Sequence, residues 1–312
     1  MKPLVILNPA SQKGKTGRQA PELLRVVERY LGPVDRRDTE APRHAVSLAE
    51  EAAREGRPTV IAVGGDGTIH EVVNGLMRVD QGTRPKLGVI GQGTGGDFRK
   101  SLEVEHRLDR YLTAIASRRT RKIDIGRFSY RDNAGEDTEG YFVNILSVGM
   151  GGLVDRYVHQ AKGQLGGTIA YLSASVKALL ESEVGVLAAV IEEDGSRREE
   201  EIVTRQIAIC NGRFFGGGME VAPMAVLDDG AFDVVSMGAA PRARFALGSL
   251  SIYSGKHVDK PDVQVFRCQS IELRLKNQSI TEIFPLDVDG EPLGTLPLRI
   301  ELVPAALEVF VG

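Results

Sequence analysis

The sequence predicts an α/β N-terminal domain with a parallel sheet and a GGDGT loop over residues 1–124, followed by a mainly antiparallel β-sandwich domain over 125–312. Three observations lead there. At 312 residues the chain is too long for one small core and suits two domains. Its first third alternates short apolar runs with longer amphipathic ones joined by glycine turns, the pattern of a parallel sheet covered on both faces. After about residue 122 strand-like runs follow one another with turns between most of them, the pattern of a sandwich.

LVIL at 4–7 reads as a buried strand that ends in Asn-Pro and a polar, glycine-containing turn. Over 18–31, Ala20, Leu23, Leu24, Val27 and Leu31 fall at helical spacing. RHAVSLAEEAAREG (43–56) predicts a second helix, stopped by Gly56. TVIAV (59–63) is the next strand, and it runs into Gly64-Gly65-Asp66-Gly67-Thr68 and a helix over Ile69–Met77. KLGVI (86–90) is a further strand, again closed by glycines, and KIDIGRF (122–128) leads as a strand from one domain to the next. Beyond it YFVNILSVG, VGVLAAVIE, EIVTRQIAIC, FDVVSM, VQVF, SIELRL and LPLRIELV read as strands. Helical insertions interrupt them at 152–182 and 242–254.

Composition narrows the function classes. A net charge of −3 gives no basic field for nucleic acid, and 5% aromatics without Trp disfavour base stacking. Cys210 and Cys268 stand far apart without neighbouring ligands, so neither a disulfide framework nor a zinc site is expected. No stretch has the 18 or so apolar residues of a spanning helix, and the four-residue apolar run near the start is short for a signal peptide. The expectation is a cytoplasmic protein, soluble or at most peripheral. His44, His70, His106, His159 and His257 lack metal-ligand spacing and read as surface or helix-packing residues.

The GGDGT bend carries the chemistry. Glycines after a buried strand let the backbone turn and let a ligand approach main-chain N–H groups, while the following helix directs its positive end there. Such a place stabilises a phosphate. Asp66 would repel one unless it holds Mg²⁺; the plainer reading makes it a helix cap. LDDG (227–230) reads as a surface turn, DVDGE (287–291) as a two-residue hairpin, and each also offers carboxylates.

GGDGTIHEVVNGL closely resembles the signature of the diacylglycerol kinase catalytic family, which includes bacterial lipid kinases, sphingosine kinases and ceramide kinases. ILNPAS (6–11), GQGTGGDFRKSL (91–102), KIDIG (122–126), NGRFFGGGMEVAPMAVLDDGAFDVV (211–235) and DVDGEPL (287–293) resemble further family blocks in the same order. The resemblance implies an ATP-dependent lipid kinase of lipid metabolism that phosphorylates a hydroxyl, as of diacylglycerol, with ATP and Mg²⁺ bound between the domains. It puts Asn8, Thr39, Gly64, Gly65, Asp66, Gly67, Thr68, Ile69, His70, Glu71 and Thr94 at the nucleotide. It gives Asp66, Asp289 and Glu291 catalytic places, with Glu291 in the proton-acceptor position and Asp289 supporting the metal and water network. A second Mg²⁺ falls to Asp229 with the carbonyls of Val226 and Ala231. Lys162 resembles a family lysine near the site, though a solvated helix lysine is the default. The stripe Ile169, Leu172, Val176 and Leu179–Leu180 reads as core, or as the mouth through which an acyl chain enters.

The second glycine loop departs from the family pattern, with Gly91 where Pro is usual and Gly96 where Asn is usual. Gly91, Gly93 and Gly96 also spell G-x-G-x-x-G with Asp109 further on, the fingerprint of an NAD-dependent oxidoreductase, but in a later turn than that fold uses. NAD kinase and phosphofructokinase share the GGDGT bend without a role for DVDGE. A lipid-binding relative with weak or no kinase activity is the remaining alternative. GKT at 14–16 is no P-loop, since Pro9 stands where glycine is needed. Partners expected are ATP and a lipid acceptor, without nucleic acid; open strand edges leave room for a homodimer.

Overall fold

The computed structural model describes residues 1–93, 95–132, 135–160, 167–238 and 241–312, with the side chains at 155, 159, 167–172 and 246–250 left aside. The first half runs β1 (Leu4–Leu7), α1 (Lys15–Leu31), β2 (Asp35–Asp38), α2 (His44–Arg54), β3 (Thr59–Gly64) and α3 (Asp66–Leu76). It continues with β4 (Lys86–Gly91), α4 (Asp97–Ser101) and α5 (Leu108–Ala116). Strands β2, β1, β3 and β4 lie side by side and parallel. All of β1 and β3 is buried, which is why both read as unbroken apolar runs. The sequence does not predict β2, DRRD. It is an edge strand, whose charges pair with one another and with Glu55 and Arg57, and such an edge resists further pairing. α3 packs so closely on α2 that a Cβ on Gly75 would lie 2.2 Å from the Val46 carbonyl oxygen.

The second half begins with β5 (Thr120–Arg131), β6 (Asp137–Phe142), β7 (Ile145–Gly149), α6 (Met150–Gln160) and α7 (Gly167–Glu181). Then come β8 (Gly185–Glu193), β9 (Ser196–Thr204), β10 (Gln206–Cys210) and the short pair β11 (Phe214–Phe215) and β12 (Met219–Glu220). The last elements are β13 (Phe232–Met237), α8 (Arg242–Ser249), β14 (Val263–Cys268), β15 (Ser270–Leu275), β16 (Pro285–Val288) and β17 (Glu291–Phe310). Two predicted strands are each a pair. YFVNILSVG breaks at Val143-Asn144, and EIVTRQIAIC breaks at Arg205, so that β9 pairs with β8 while β10 pairs with β7 and β13.

Among the described residues one sheet of 15 strands joins the halves, and β17 is its splice. β17 leaves β16 in a hairpin, pairs along its middle with β15 and β5, and meets β4 in parallel at Val309 opposite Leu87. The sandwich core lies between the layers this creates. Phe142 and Phe232 stack with ring centres 5.4 Å apart, and Leu146, Ile207, Ile271, Phe284 and Ile300 are buried around them. The division between residues 124 and 125 falls inside β5, a strand shared by both halves.

The α7 stripe is not uniformly core. Val176 is 53% and Leu180 68% exposed, because Ala174 and Ala178 make the contact with α6; the side chains of Ile169 and Leu172 lie outside the described residues. Cys210 and Cys268 are both free and buried.

Candidate active site

The GGDGT bend closes on itself. Gly64 ends β3, Gly65 is the extended residue before α3, and Asp66 lies in the first turn of that helix rather than capping it. A Cβ on Gly64 would sit 2.3 Å from Thr68 Oγ1, so glycine is required for the corner. Thr68 Oγ1 accepts from Asn8 Nδ2 at 3.1 Å, and Asn8 Oδ1 accepts from the Ala10 amide at 3.0 Å, which ties the end of β1 to the bend. Ile69 is buried beneath it. Thr39 follows β2, its amide bonded to the Leu7 carbonyl at 2.9 Å.

The second glycine loop lies against the first. The Gln92 amide donates to the Gly64 carbonyl at 2.6 Å, and a Cβ on Gly93 would be 3.0 Å from the Gly65 Cα. Thr94 lies outside the described residues, as does Lys162. Asp66 reaches across to this loop, where its Oδ2 accepts from the Asp97 amide at 3.4 Å. Its Oδ1 is buried without a hydrogen-bond partner among the described residues. Burial first, then the nearby Asp97 carboxylate, raise the Asp66 carboxyl above its ordinary range, against the lowering pull of the backbone amides that open α4. Asp97 itself is held by Lys100 Nζ at 2.8 Å and the Gly217 amide at 2.7 Å, so the glycine-rich segment folds onto α4.

Two acids of the β16–β17 hairpin come to the same place. Asp289 and Gly290 form its two-residue tip, with φ of 53° and 89°, the left-handed pair that an Asp-Gly turn favours. Glu291 follows directly, and its Oε1 lies 2.5 Å from where a Cβ on Gly67 would stand. Asp289 points the other way. Its Oδ1 accepts from the Asn144 and Ile145 amides at 3.0 and 3.1 Å. Its Oδ2 accepts from the Val143 amide at 3.1 Å and meets His70 Nδ1 at 3.0 Å. Two of the histidines read as surface or helix-packing residues have defined partners. His70 bonds Asp289 and, through Nε2 at 3.2 Å, Asn74, while His257 is buried with Nε2 on the Val221 carbonyl at 3.0 Å.

Other residues expected at the site have structural partners. Glu71 turns to α2, accepting from the Arg43 and Ala45 amides at 2.9 and 3.1 Å. Asp229 accepts from Arg267 Nη2 at 2.5 Å and from the Ala231 amide at 3.4 Å, so a cation there would displace Arg267. Val226 and Ala231 flank this turn. Among the described residues no group of three or more His, Cys, Asp or Glu side chains is arranged to hold a metal ion. Asp109 pairs with Arg107 at 3.0 Å in the first turn of α5, and the G-x-G-x-x-G run starts at Gly91, the last residue of β4, rather than in the first strand-to-helix turn where a dinucleotide fold carries it.

The sequence reading missed Asp124, Asn144 and Asn211. Asp124 accepts from the Gly230 amide at 2.8 Å and the Ala305 amide at 2.7 Å, which fixes the LDDG turn and a bulge of β17. Asn211 Nδ2 donates to the Asp124 and Val143 carbonyls at 2.8 Å each, and Asn144 Nδ2 to the Phe214 carbonyl at 2.7 Å. The available signal was a lone polar residue inside an apolar strand run, which burial obliges to bond.

Comparison with known proteins completes the assignment of class. Residues 2–128 match the diacylglycerol kinase catalytic domain, and residues 144–311 match the YegS C-terminal NAD kinase beta sandwich-like domain. The chain belongs to the family of the YegS C-terminal NAD kinase beta sandwich-like domain, which spans more than half of it, and carries a diacylglycerol kinase catalytic domain in front of that sandwich. It is 28% identical over 307 residues to a diacylglycerol kinase of Staphylococcus aureus (strain bovine RF122 / ET3-1), covering 98% of this chain and 91% of that protein. A diacylglycerol kinase of Staphylococcus haemolyticus (strain JCSC1435) is 29% identical over 306 residues, covering 98% and 86%. The crystal structure of a diacylglycerol kinase from Bacillus anthracis str. Sterne shares the fold with a TM-score of 0.71 at 19% identity, over 100% of this chain and 97% of that one. Yeast NADH kinase complexed with NADH shares it at 0.54 and 10% identity, over 100% and 84%.

Proposed function

We propose that this chain transfers the γ-phosphate of ATP to the hydroxyl of a lipid, diacylglycerol being the first candidate. The observation that carries the reading is Glu291, a carboxylate of the sandwich, lying against Gly67 of the bend. A phosphate held at the Gly64–Thr68 corner and the α3 N-terminus would then face a proton acceptor supplied by the other half. Asn8 orients Thr68 toward the same corner, and Thr39 and Thr94 remain nucleotide contacts in this proposal.

Asp66 fits a magnesium ion. Its buried Oδ1 lacks a partner among the described residues, and the Asp97 carboxylate nearby adds a second negative charge that a cation would offset. Bound there, Mg²⁺ would neutralise charge developing on the phosphates. The Asp229 turn fits less well, since Arg267 already balances that carboxylate. Asp66 would hold the ion, Glu291 would take the proton from the acceptor hydroxyl, and the glycine corners would bring main-chain amides to the phosphates.

No described helix is long and apolar enough to cross a membrane. The exposed Val176 and Leu180 on α7 support peripheral contact at the lipid surface that would supply the substrate. A homodimer would use a strand edge; β14 is the candidate because Val265 on it is 38% exposed. The test is purified protein with Mg-ATP against diacylglycerol, sphingoid and ceramide acceptors, with mass identification of the product. A phosphorylated lipid is expected. Lipid binding without ATP consumption would instead assign the chain to the silent relatives of the family.

A further inference from the structure

An ionised carboxylate offers about four lone-pair directions, and in Asp289 each is used. Three consecutive amides, of Val143, Asn144 and Ile145, converge on its two oxygens from the junction of β6 and β7. His70 on α3 supplies the fourth contact, and the Asp289 side chain is only 3% exposed. Three successive N–H groups aimed at one point form an anion-binding nest, here filled by the protein's own carboxylate. The Asp289 amide also donates back to the Ile145 carbonyl at 2.9 Å, so backbone and side chain are both held.

His70 is itself held. Asn74 Nδ2 lies 3.2 Å from His70 Nε2 and 2.9 Å from the His70 carbonyl, and it donates to the Tyr141 carbonyl at 2.9 Å. Asn74 Oδ1 in return accepts from the Tyr141 amide at 2.9 Å. Nδ1 faces a carboxylate, which only accepts, so the ring carries a proton on Nδ1 and donates it to Asp289. The helix of the GGDGT bend is thereby fastened to β6, β7 and the β16–β17 hairpin.

We infer that His70 and Asp289 form a latch between the two halves that positions Glu291, and that Asp289 neither takes the substrate proton nor ligates the metal. Glu291 is the residue after the Asp289-Gly290 tip, so fixing Asp289 fixes the Glu291 backbone over Gly67. The catalytic part of this inference rests on the lipid kinase reading; the latch does not. Both residues act through Glu291 and are positioning residues.

Two variants of His70 test it in the full chain. His70→Leu removes the donor, and His70→Asn returns an N–H near the Nδ1 position. In His70→Leu, amide hydrogen exchange at Val143–Ile145 is expected to quicken at least tenfold, and kcat to fall about tenfold to hundredfold, the usual cost of a misplaced reacting group. KM for ATP should change less than threefold, and His70→Asn should recover most of both losses. Unchanged exchange at these amides in His70→Leu overturns the latch, whether or not the protein phosphorylates lipid. Quickened exchange with an undiminished kcat overturns its positioning role. A wild-type chain that phosphorylates no lipid refutes the kinase reading, and the exchange rates still decide the latch.

Discussion

At position 66 a carboxylate stays where burial and Asp97 both oppose its charge. A group with a folded-state pKa above its unfolded value binds protons more tightly in the folded chain. Its contribution to stability is therefore greatest below the ordinary Asp range and declines as pH rises through the raised folded value. Asp66→Asn removes the opposition, so melting temperature at neutral pH should hold or rise and its fall between acid and neutral pH should flatten. Lipid phosphorylation should drop by about 10²-fold, the order lost when one preorganised electrostatic contact is removed. Calorimetry across pH and a turnover assay check the two halves of this statement. Asp66 was legible in the sequence because the carboxylate is the odd member of a glycine bend. The partners of Asp289 were not, since three of them are main-chain amides, identical at every non-proline residue.

The second glycine loop shows why an element can depart from its family pattern. Gly91 ends β4, and a Cβ there would lie 2.6 Å from the Tyr111 hydroxyl of α5. That hydroxyl is bonded to His106 Nδ1 at 2.7 Å, and burial pushes the phenol up to about 12. Proline at this place would collide with Tyr111, so glycine and tyrosine go together. Gly91→Ala is expected to cost about 1–3 kcal/mol, as overpacking does, and adding Tyr111→Phe should return part of it. Thermal denaturation of the single and double variants measures this, and equal losses in both would show that Tyr111 is not the obstacle. The strand and the glycines were readable from local periodicity. The reason for Gly91 lies on a helix that the sequence did not announce, and the one-turn α4 and the all-charged β2 were equally hidden because neither carries an apolar stripe.

For the whole molecule the governing fact is a shared sheet. The change from parallel to antiparallel texture near residue 122 was legible, but the pairing of β17 with β4 was not, because contacts so distant in sequence leave no local pattern. Asp124 sits at this junction, 2% exposed, with one oxygen on the Gly230 amide and the other on the Ala305 amide. Asp124→Asn keeps the volume but can accept only one of these bonds. It should cost about 2–4 kcal/mol in unfolding free energy, as broken buried charge-assisted bonds do. Loss should appear in one cooperative transition rather than two, read by parallel fluorescence and circular dichroism melts.

β17 also dictates an order of events during synthesis. A ribosome that has released residues 1–290 has made every strand of the parallel half, yet Leu87 on β4 still lacks the neighbour that Val309 will become. Nascent chains arrested short of that strand should stay protease-sensitive and recruit chaperones through the uncovered border. Adding the residues through Phe310 should bring protection to the front of the molecule and to its back in a single step.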